Sequence, residues 1–273
     1  MTTFATGSSG TIGKYFPDSV FPLGIDLISG IKEFIQLPFK NNDVVIHAAA
    51  TVGPSLVDKD PWAARAVNIE GTRKLGLAAF SRGISKFVYV STSHVYKFGP
   101  EYLAENNEVT PINEYANQKY EGEKILEAIF SQALERLCIL RVFSILDWGM
   151  PEYSLGGAVE KLVANSSNFS LQNTDDVRDF LTPKQVAKAI YEISETAAAS
   201  GVINLCSSKP TSVSGAVRYL FALENIEIRE NSLSGGNSLV PRIVGNNSKL
   251  KLLLPKLNLE WKPSSRTNLE RSS

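Results

Sequence analysis

Apolar and polar positions follow two alternating patterns through the first half of the chain. The stretches at 63–82 and 115–136 place apolar residues at helical spacing. Near-continuous apolar runs of strand length lie at 2–6, 43–48, 87–91 and 137–143. Runs of this kind are typical of strands buried on both faces, and strands that alternate with helices predict a parallel sheet. We therefore expect an α/β fold with a doubly wound parallel sheet.

The second half of the chain has a different texture. Segments rich in Gly, Ser and Asn lie at 154–157, 165–168 and 232–237. Such clusters predict loops, because these residue types favour turns. We expect most of 151–273 to form a smaller and less regular region.

Part of this second half follows the earlier pattern again. A helical pattern occupies 183–199, and an apolar strand-like run occupies 201–206. We therefore predict that 178–206 return to a main domain formed by 1–150, so that the two regions are interleaved.

The chain has 273 residues, of which 43% are hydrophobic and 21% charged, and it can bury a substantial core. Lys and Arg balance Asp and Glu at 28 each, so no bulk positive field favours nucleic acid or an anionic membrane as a partner.

No apolar run of about 18 residues and no charged-then-apolar leader is present, so we expect a cytoplasmic protein without a membrane span. Cys138 and Cys206 lie in apolar runs and are expected to be reduced core residues, with no metal site.

A tyrosine stands four residues before a lysine twice within ten residues, at Tyr115 and Lys119 and again at Tyr120 and Lys124. Four residues make about one helical turn, so each pair lies on one helix face. A nearby ammonium favours the phenolate of a tyrosine that acts as acid or base, which suits hydride transfer at a carbinol carbon. Tyrosines five residues apart lie about 140° apart around a helix, so the two pairs face different ways.

A glycine-rich loop follows the first predicted strand and opens a predicted helix. Such a loop lets backbone approach a pyrophosphate closely, and the first N–H groups of the helix attract its charge. The pattern predicts a Rossmann-type dinucleotide-binding domain over 1–150. The candidate cofactor-binding residues of the loop are Gly7, Ser9, Gly10, Thr11, Ile12 and Gly13.

Further segments resemble, in chain order, the motifs of one family. They read Asp-Val-Val-Ile-His-Ala-Ala-Ala at 43–50, Val-Asn-Ile-Glu-Gly-Thr at 67–72, Phe-Val-Tyr-Val-Ser-Thr-Ser-His-Val-Tyr at 87–96, Leu-Arg-Val-Phe at 140–143 and Arg-Asp-Phe at 178–180. With the glycine loop, they are similar to the extended short-chain dehydrogenase/reductases of the NAD-dependent epimerase/dehydratase type, which act on nucleotide sugars. The resemblance also implies a homodimer formed through the two helices at 63–82 and 115–136.

The resemblance selects one tyrosine–lysine pair. In the family, the catalytic tyrosine follows a proline-bearing loop and a glutamate stands four residues beyond the lysine, which matches Tyr115, Lys119 and Glu123. It implies that Tyr115 exchanges a proton with a substrate oxygen to which Thr92 hydrogen-bonds. Lys119 is expected to hold the cofactor ribose and to bring the pKa of Tyr115 down towards working pH. Tyr120 and its lysine then have surface or packing roles.

The resemblance implies cofactor contacts outside the glycine loop. These are Ala48, Ala49, Ala50, Asn68, Ser91, Tyr115 and Lys119.

Asp26 and Leu27 allow two interpretations. Asp26 stands about 20 residues after Gly7, the spacing of an acid that binds the ribose 2′-OH and favours NAD. The pair also precedes His47 by 21 residues, like the family's adenine-side contact. A helix and a strand are then shortened, the ribose acid is missing, and NADP fits; NAD is slightly preferred.

Two substrate positions depart from the family pattern. Family dehydratases carry an Asp-Glu pair directly after the active-site threonine, where this chain has Ser93 and His94, so 4,6-dehydration is disfavoured. His94 is either a proton donor near neutral pH or a packing residue. Ser144 replaces the usual asparagine, and Leu-Asp-Trp-Gly at 146–149 replaces the usual Tyr-Gly.

Two arginines are candidate substrate anchors. Arg178 matches the family position that contacts the nucleotide diphosphate, and a guanidinium binds phosphate by paired hydrogen bonds. Arg242 is either a second clamp or a solvated loop charge. The sequence thus predicts an NAD(P)-dependent epimerase or reductase of a nucleotide-diphosphate sugar. The alternative is a non-catalytic NAD(P)-binding sensor or interaction protein on the same fold.

Overall fold

A computed structural model describes residues 1–164, 169–236 and 241–266. The strands are β1 (Thr3–Thr6), β2 (Val20–Pro22), β3 (Val44–His47), β4 (Lys86–Thr92), β5 (Leu137–Val142), β6 (Ser144–Ile145), β7 (Val177–Leu181), β8 (Gly201–Leu205), β9 (Pro210–Ser212) and β10 (Arg242–Ile243). The α-helices are α1 (Ile31–Ile35), α2 (Pro54–Lys59), α3 (Pro61–Arg65), α4 (Thr72–Ser81), α5 (Glu114–Ile129), α6 (Leu155–Ala164), α7 (Pro183–Glu195), α8 (Val213–Leu223) and α9 (Ser248–Leu253).

The main sheet is parallel and has the strand order β2-β1-β3-β4-β5-β8. Successive side chains of a strand point to opposite faces, and both faces are covered here. Val45 packs with Leu75 of α4 and Leu126 of α5, whereas the neighbouring Ile46 packs in the cluster that contains Ile190 of α7. The predicted doubly wound α/β fold is therefore confirmed.

The central strands lie where the apolar runs placed them. β3, β4 and β5 are buried along their whole length, and β1, β3, β4, β5 and β8 begin and end within one residue of the predicted bounds. The three-residue β2 has no counterpart among the predicted strands, because it is short and ends in a proline at the edge of the sheet.

The helix predicted after the glycine loop is reduced to one 3₁₀ turn, Gly13–Tyr15. Pro17 explains the difference, because the residue before a proline is restricted to extended conformations. Phe16 is extended, with φ −65° and ψ 144°. The described residues between β1 and β2 thus form this turn and no longer helix.

The predicted helix at 63–82 is interrupted. A π-helical segment, Ala66–Gly71, separates α3 from α4. Its wider turn carries Asn68, whose side chain is buried and bonds to Thr51 and Gln118. Interruptions of this kind depend on tertiary partners and are not visible in the spacing of apolar residues.

Two predicted helices end early. The helix predicted at 115–136 ends at Ile129, and a separate 3₁₀ turn occupies Leu134–Arg136. The residue after the end of α5, Phe130, is fully buried, with its ring centroid 5.3 Å from that of Phe80 and 5.6 Å from that of Phe87. α7 similarly stops four residues before the predicted end at 199.

The smaller region has its own sheet, in the order β10-β7-β6, with β9 antiparallel to β7. α6 and α8 pack on this sheet around Trp148, Phe180 and Phe221. α7 covers one face of the main sheet, and β8 pairs with β5 of that sheet. The loop predicted at 154–157 is wrong from its second residue on, since α6 begins at Leu155. The loop predicted at 165–168, and residue 237 of the loop predicted at 232–237, lie outside the described residues.

Cys138 and Cys206 are both buried as free thiols in separate core clusters. Within the described ranges, no helix is long and apolar enough to cross a bilayer.

Candidate functional site

A cavity of about 750 Å³ opens at the carboxyl ends of β1, β3, β4 and β5, where the main sheet meets the smaller region. Open α/β sheets bind their ligands at this edge. The predicted site residues that line the cavity are Gly7, Ser9, Gly10, Thr11, Ile12, Gly13, Ala48, Ala49, Ala50, Ser91, Thr92, Ser93, His94, Tyr115, Lys119, Ser144 and Arg178. The folded chain therefore brings the glycine loop, the tyrosine–lysine pair and the substrate candidates together.

Asp26 and Leu27 lie outside this cavity. Asp26 is exposed beyond the end of β2, and its carboxylate accepts a hydrogen bond from Ile28 N at 3.1 Å. Leu27 is buried in the core cluster beneath α4. The connection between β1 and β2 holds one 3₁₀ turn, and Asp26 follows the short second strand β2.

Asn68 and Arg242 also lie outside the cavity. Asn68 accepts a hydrogen bond from Thr51 N at 2.8 Å and thereby holds the loop after β3, part of which forms the cavity wall. Arg242 donates to the carbonyl of Pro100 at 2.8 Å and lies over the ring of Tyr102. Neither contact places the side chain against a ligand in the cavity.

The glycine loop is shaped by close backbone approaches. Gly7 has φ +74°, and a Cβ there would lie 2.7 Å from Ala49 N. A Cβ at Gly13 would overlap the carbonyl of Gly7. The loop is held by the bond from Gly10 N to Gly7 O, at 2.9 Å. These residues fit a dinucleotide, because they leave an open backbone cradle of the kind that a pyrophosphate occupies.

His47 supports the loop from below. Its two ring nitrogens lie 2.7 Å from Thr6 Oγ1 and 2.9 Å from Thr72 Oγ1, and the hydroxyl of Thr6 also accepts from Ala49 N. Burial, assisted by the charge of Lys119, lowers the pKa of His47 to about 3. The imidazole is therefore neutral and joins β1, β3 and α4 as a structural bridge.

Tyr115 lies in the first turn of α5. The side chain of Asn113 caps this helix by accepting from Ala116 N at 2.8 Å. Burial, with a contribution from Tyr153, raises the pKa of Tyr115 above its ordinary value. This differs from the expectation that Lys119 lowers the pKa of Tyr115, because desolvation of the phenolate is the largest cause of the shift.

Lys119 is only 2% exposed, and its ammonium lies 4.0 Å from the centroid of the Tyr89 ring. Burial lowers its pKa to about 7, although the charge of Glu123 opposes the shift. A lysine poised near neutrality inside a cleft is typical of functional sites.

Glu123 is buried one turn beyond Lys119. It forms a two-pronged ion pair with Arg141 of β5, at 3.2 and 2.7 Å, and it accepts from the hydroxyl of Ser91. A buried pair of this geometry is costly to break, because removal of one partner leaves an unpaired charge. The pair fixes α5 against β4 and β5 at the height of the cavity.

Thr92 and His94 line the cavity at the end of β4. Thr92 Oγ1 accepts from His94 N at 3.2 Å, which leaves the hydroxyl hydrogen free to donate. Nδ1 of His94 is buried and has no hydrogen-bond partner among the described residues. Burial, with the nearby charge of Arg178, lowers the pKa of His94 to about 4. A neutral imidazole at pH 7 does not fit the predicted role of proton donor near neutral pH.

Arg178 reaches the cavity from β7. Its guanidinium donates to the carboxylate of Asp176 at 2.8 Å and to the carbonyl of Val177 at 3.0 Å. Asp176 also lines the cavity and is nearly buried. The two bonds fix the plane of the guanidinium, which favours directional binding of an anion.

Sequence reasoning missed part of the cavity wall. Asp176 had a signal, since it is an acid two residues before Arg178. No sequence pattern indicated Tyr153, which lies in the segment before α6 and lines the cavity. Its ring lies 3.4 Å from the Cβ position of Gly53, so it joins the two sides of the cavity mouth.

Comparison with known proteins gives consistent relatives. The chain is 24% identical over 268 residues to GDP-6-deoxy-D-talose 4-dehydrogenase of Aggregatibacter actinomycetemcomitans, which covers 92% of this chain and 90% of the relative. The structure of RMD from Pseudomonas aeruginosa complexed with NADPH has a TM-score of 0.80 at 22% identity and covers 97% of this chain and 94% of that one. The UDP-glucose 4-epimerase of Thermus thermophilus in complex with NAD has a TM-score of 0.77 at 18% identity and covers 95% and 94%. The family model matches residues 25–206, more than half of the sequence, and the chain therefore belongs to the NAD dependent epimerase/dehydratase family.

Proposed function

We propose that the protein is an NAD(P)-dependent epimerase or reductase that acts on a nucleotide-diphosphate sugar. The observation that carries the proposal is that Thr92, Tyr115 and Lys119 line one cavity with the glycine loop and Arg178. The dehydrogenase and epimerase relatives are named for activities on a GDP-linked and a UDP-linked sugar. A cofactor and a substrate diphosphate thus each have candidate contacts on the two sides of the catalytic trio.

When bound, a nicotinamide accepts or returns hydride at a sugar carbon. In the proposal, Tyr115 moves the proton at the oxygen of that carbon, and the free hydroxyl hydrogen of Thr92 donates to the same oxygen. Because the pKa of Tyr115 is raised by burial, its neutral, proton-donating form predominates at neutral pH. This form suits reduction of a ketone. Lys119 supplies the cation that favours the phenolate once the proton has left.

Dehydration is disfavoured in this proposal. Removal of water from a sugar needs an acid and a base beside the departing hydroxyl. Ser93 is buried, and His94, with its pKa lowered to about 4, is not in the imidazolium form that would serve as an acid at pH 7. Neither replaces the two carboxyl groups that the sequence of a dehydratase would supply.

We propose that NADP is accepted at least as well as NAD. A carboxylate that binds the ribose 2′-OH would repel a 2′-phosphate, but Asp26 is exposed and outside the cavity. The solved structures with this fold include one with NADPH and one with NAD. Titration of both cofactors tests the point, and a strong preference for NAD would restore the ribose-acid interpretation of Asp26.

The predicted homodimer has its candidate surface on α3 to α5. Trp62 is 82% exposed and Leu77 is 45% exposed, although both are large apolar residues. Sedimentation of the wild-type protein checks the predicted homodimer, and a monomer at high concentration would contradict it.

The function is tested with GDP- and UDP-linked sugars and their 4-keto derivatives, with NAD(P)H absorbance and product analysis as readouts. Arg178→Ala is expected to weaken binding of the nucleotide sugar by about 10–100-fold, because it loses charge-assisted hydrogen bonds, while NAD(P) affinity stays the same. The matched control is Arg73→Ala, since Arg73 is a surface residue paired with Glu70.

Three outcomes separate the alternatives. Stoichiometric NAD released from the purified protein by brief denaturation favours an epimerase, which keeps its cofactor, over a reductase, which exchanges it. Unchanged sugar affinity in Arg178→Ala would argue against a nucleotide-sugar substrate. Tight NAD(P) binding without turnover of any sugar tested would support the sensor alternative.

A further inference from the structure

A second pocket, of about 380 Å³, adjoins the main cavity beside the glycine loop. We call it the alcove. Ser9, Gly10 and Thr11 form one wall, and the segment 149–153 contributes Gly149, Met150, Pro151 and Tyr153 to the other. The side chain that distinguishes the alcove is Lys14, which lines it directly beside the loop.

Lys14 is exposed, and its ammonium lies 5.2 Å from the centroid of the Tyr15 ring. Asp147, which precedes the segment 149–153, is only 6% exposed. Burial raises the pKa of Asp147 to about 6, and the positive charge of Lys14 acts against that rise. The ammonium is therefore within electrostatic reach of Asp147, two residues before the segment 149–153.

The glycine loop is expected to bind an anion more weakly than a glycine loop that is followed by a long helix. A helix macrodipole attracts phosphate through many aligned peptide groups. Here one 3₁₀ turn follows the loop. Two N–H groups of the loop and turn already donate to backbone carbonyls, Gly10 N to Gly7 O and Lys14 N to Gly10 O at 3.1 Å. A pyrophosphate over the loop therefore needs positive charge from a side chain.

Few cations are available to supply it. Among the described residues that line the cavity and the alcove, the basic side chains are Lys14, Lys119 and Arg178. Lys119 lies deep beside Tyr89, and Arg178 is paired with Asp176 on the substrate side. Lys14 lines the alcove together with Ser9, Gly10 and Thr11 of the loop. Lys119 and Arg178 line the main cavity instead.

We propose that Lys14 is the counter-cation of the cofactor's pyrophosphate and replaces the attraction of the missing helix. The inference rests on the proposed function, because it needs a bound dinucleotide. The family model begins at residue 25, so Lys14 and the shortened turn lie outside the matched segment. The shared ligand chemistry is a phosphate group, and its other possible sources are the 2′-phosphate of NADP and the diphosphate of the substrate.

The test compares Lys14→Met with Lys32→Met, which removes an exposed lysine on α1 outside both pockets. The probes are NADH, NADPH, ADP and adenosine, with UDP and GDP as substrate-side probes. Lys14→Met is expected to weaken binding of NADH, NADPH and ADP alike by about tenfold at low salt, the size of one charge-assisted contact. Adenosine, UDP and GDP affinities stay the same. Lys14→Arg retains NADH binding, and the salt dependence of NADH binding becomes shallower in Lys14→Met.

Each other outcome overturns the assignment in a distinguishable way. Unchanged NADH and ADP affinities in Lys14→Met show that Lys14 does not hold the pyrophosphate. A loss confined to NADPH moves the cation to the 2′-phosphate, and a loss confined to UDP or GDP moves it to the substrate. If the wild-type protein binds neither NADH nor NADPH, the proposed function fails together with this inference.

Discussion

The two faces of α5 carry the same sequence pattern in opposite surroundings. Tyr115 and Lys119 line the cavity, and Lys119 is 2% exposed with its pKa lowered to about 7 by burial. Tyr120 packs against the core cluster that contains Tyr96 and Cys206, and the side chain of Lys124 is 55% exposed. A hydrogen bond from Lys124 to Glu127 raises the pKa of that lysine.

The comparison shows that spacing puts a tyrosine and a lysine on one face but does not give them a chemistry. Lys119 loses its water and gains the ring of Tyr89, so its proton becomes labile near neutral pH. Lys124 keeps its water and gains an exposed carboxylate, so its proton is held more firmly. What packs over each helix face decides the difference.

The largest expected effect comes from removal of the inner phenol. Tyr115→Phe is expected to lower kcat by about 10²–10⁴-fold, because the substrate oxygen loses its proton donor. NAD(P) affinity is expected to stay the same, since the hydroxyl is lost without a change of ring packing. Steady-state kinetics and cofactor titration measure the two effects separately.

The matched control is Tyr120→Phe, which removes the same hydroxyl from the other face of the helix. Its kcat is expected to equal that of the wild type. If Tyr120→Phe were the damaging change and Tyr115→Phe were neutral, the assignment of the inner face as catalytic would be wrong.

The second effect is a dependence of stability on pH. The pKa of Lys119 is lowered from 10.5 to about 7 in the folded protein. Between these values the unfolded chain binds more protons than the folded one, so wild-type stability rises with pH through this window. Lys119→Met removes the free-energy cost of burying the charged ammonium. The variant should therefore exceed the wild type most below pH 7, by about 2–4 kcal/mol, and its advantage should shrink as the pH approaches 10.

Urea unfolding of the cofactor-free proteins at several pH values measures this difference. Lys124→Met is the control, because Lys124 is exposed and charged in both the folded and unfolded states over this range. A Lys119→Met advantage that does not change between about pH 6 and 9 would show that Lys119 is not desolvated in the folded protein.

Most of the main sheet was predictable because its buried strands are apolar runs in the sequence. β4 and β5 are buried at every residue, so an apolar run and a strand coincide. The catalytic candidates lie at the end of β4 and in the first two turns of α5, where the motif order located them. Thr92, Tyr115 and Lys119 accordingly share the cavity.

The parts that were not predicted differ in whether the sequence carried a local signal for them. The shortened turn before Pro17 carried a local signal, the extended conformation of a residue before proline. By contrast, the π-helical segment at Asn68 exists because Thr51 and Gln118 bond to one inward side chain. The position of Tyr153 over the cavity mouth requires the fold of the segment before α6, which no spacing rule describes.

The smallest effect tests the outer face by itself. Lys124 and Glu127 form an exposed ion pair at 2.8 Å, three residues apart on α5. Lys124→Met is expected to cost at most about 0.5 kcal/mol, because both charges keep most of their hydration when the pair is absent. The loss should disappear at high salt, and Glu127→Gln should give the same value without adding to it. Urea unfolding of both single variants and the double variant measures the coupling. A loss above about 1 kcal/mol, or any change of kcat, would mean that the outer pair is coupled to the site and that the two faces of α5 are not independent.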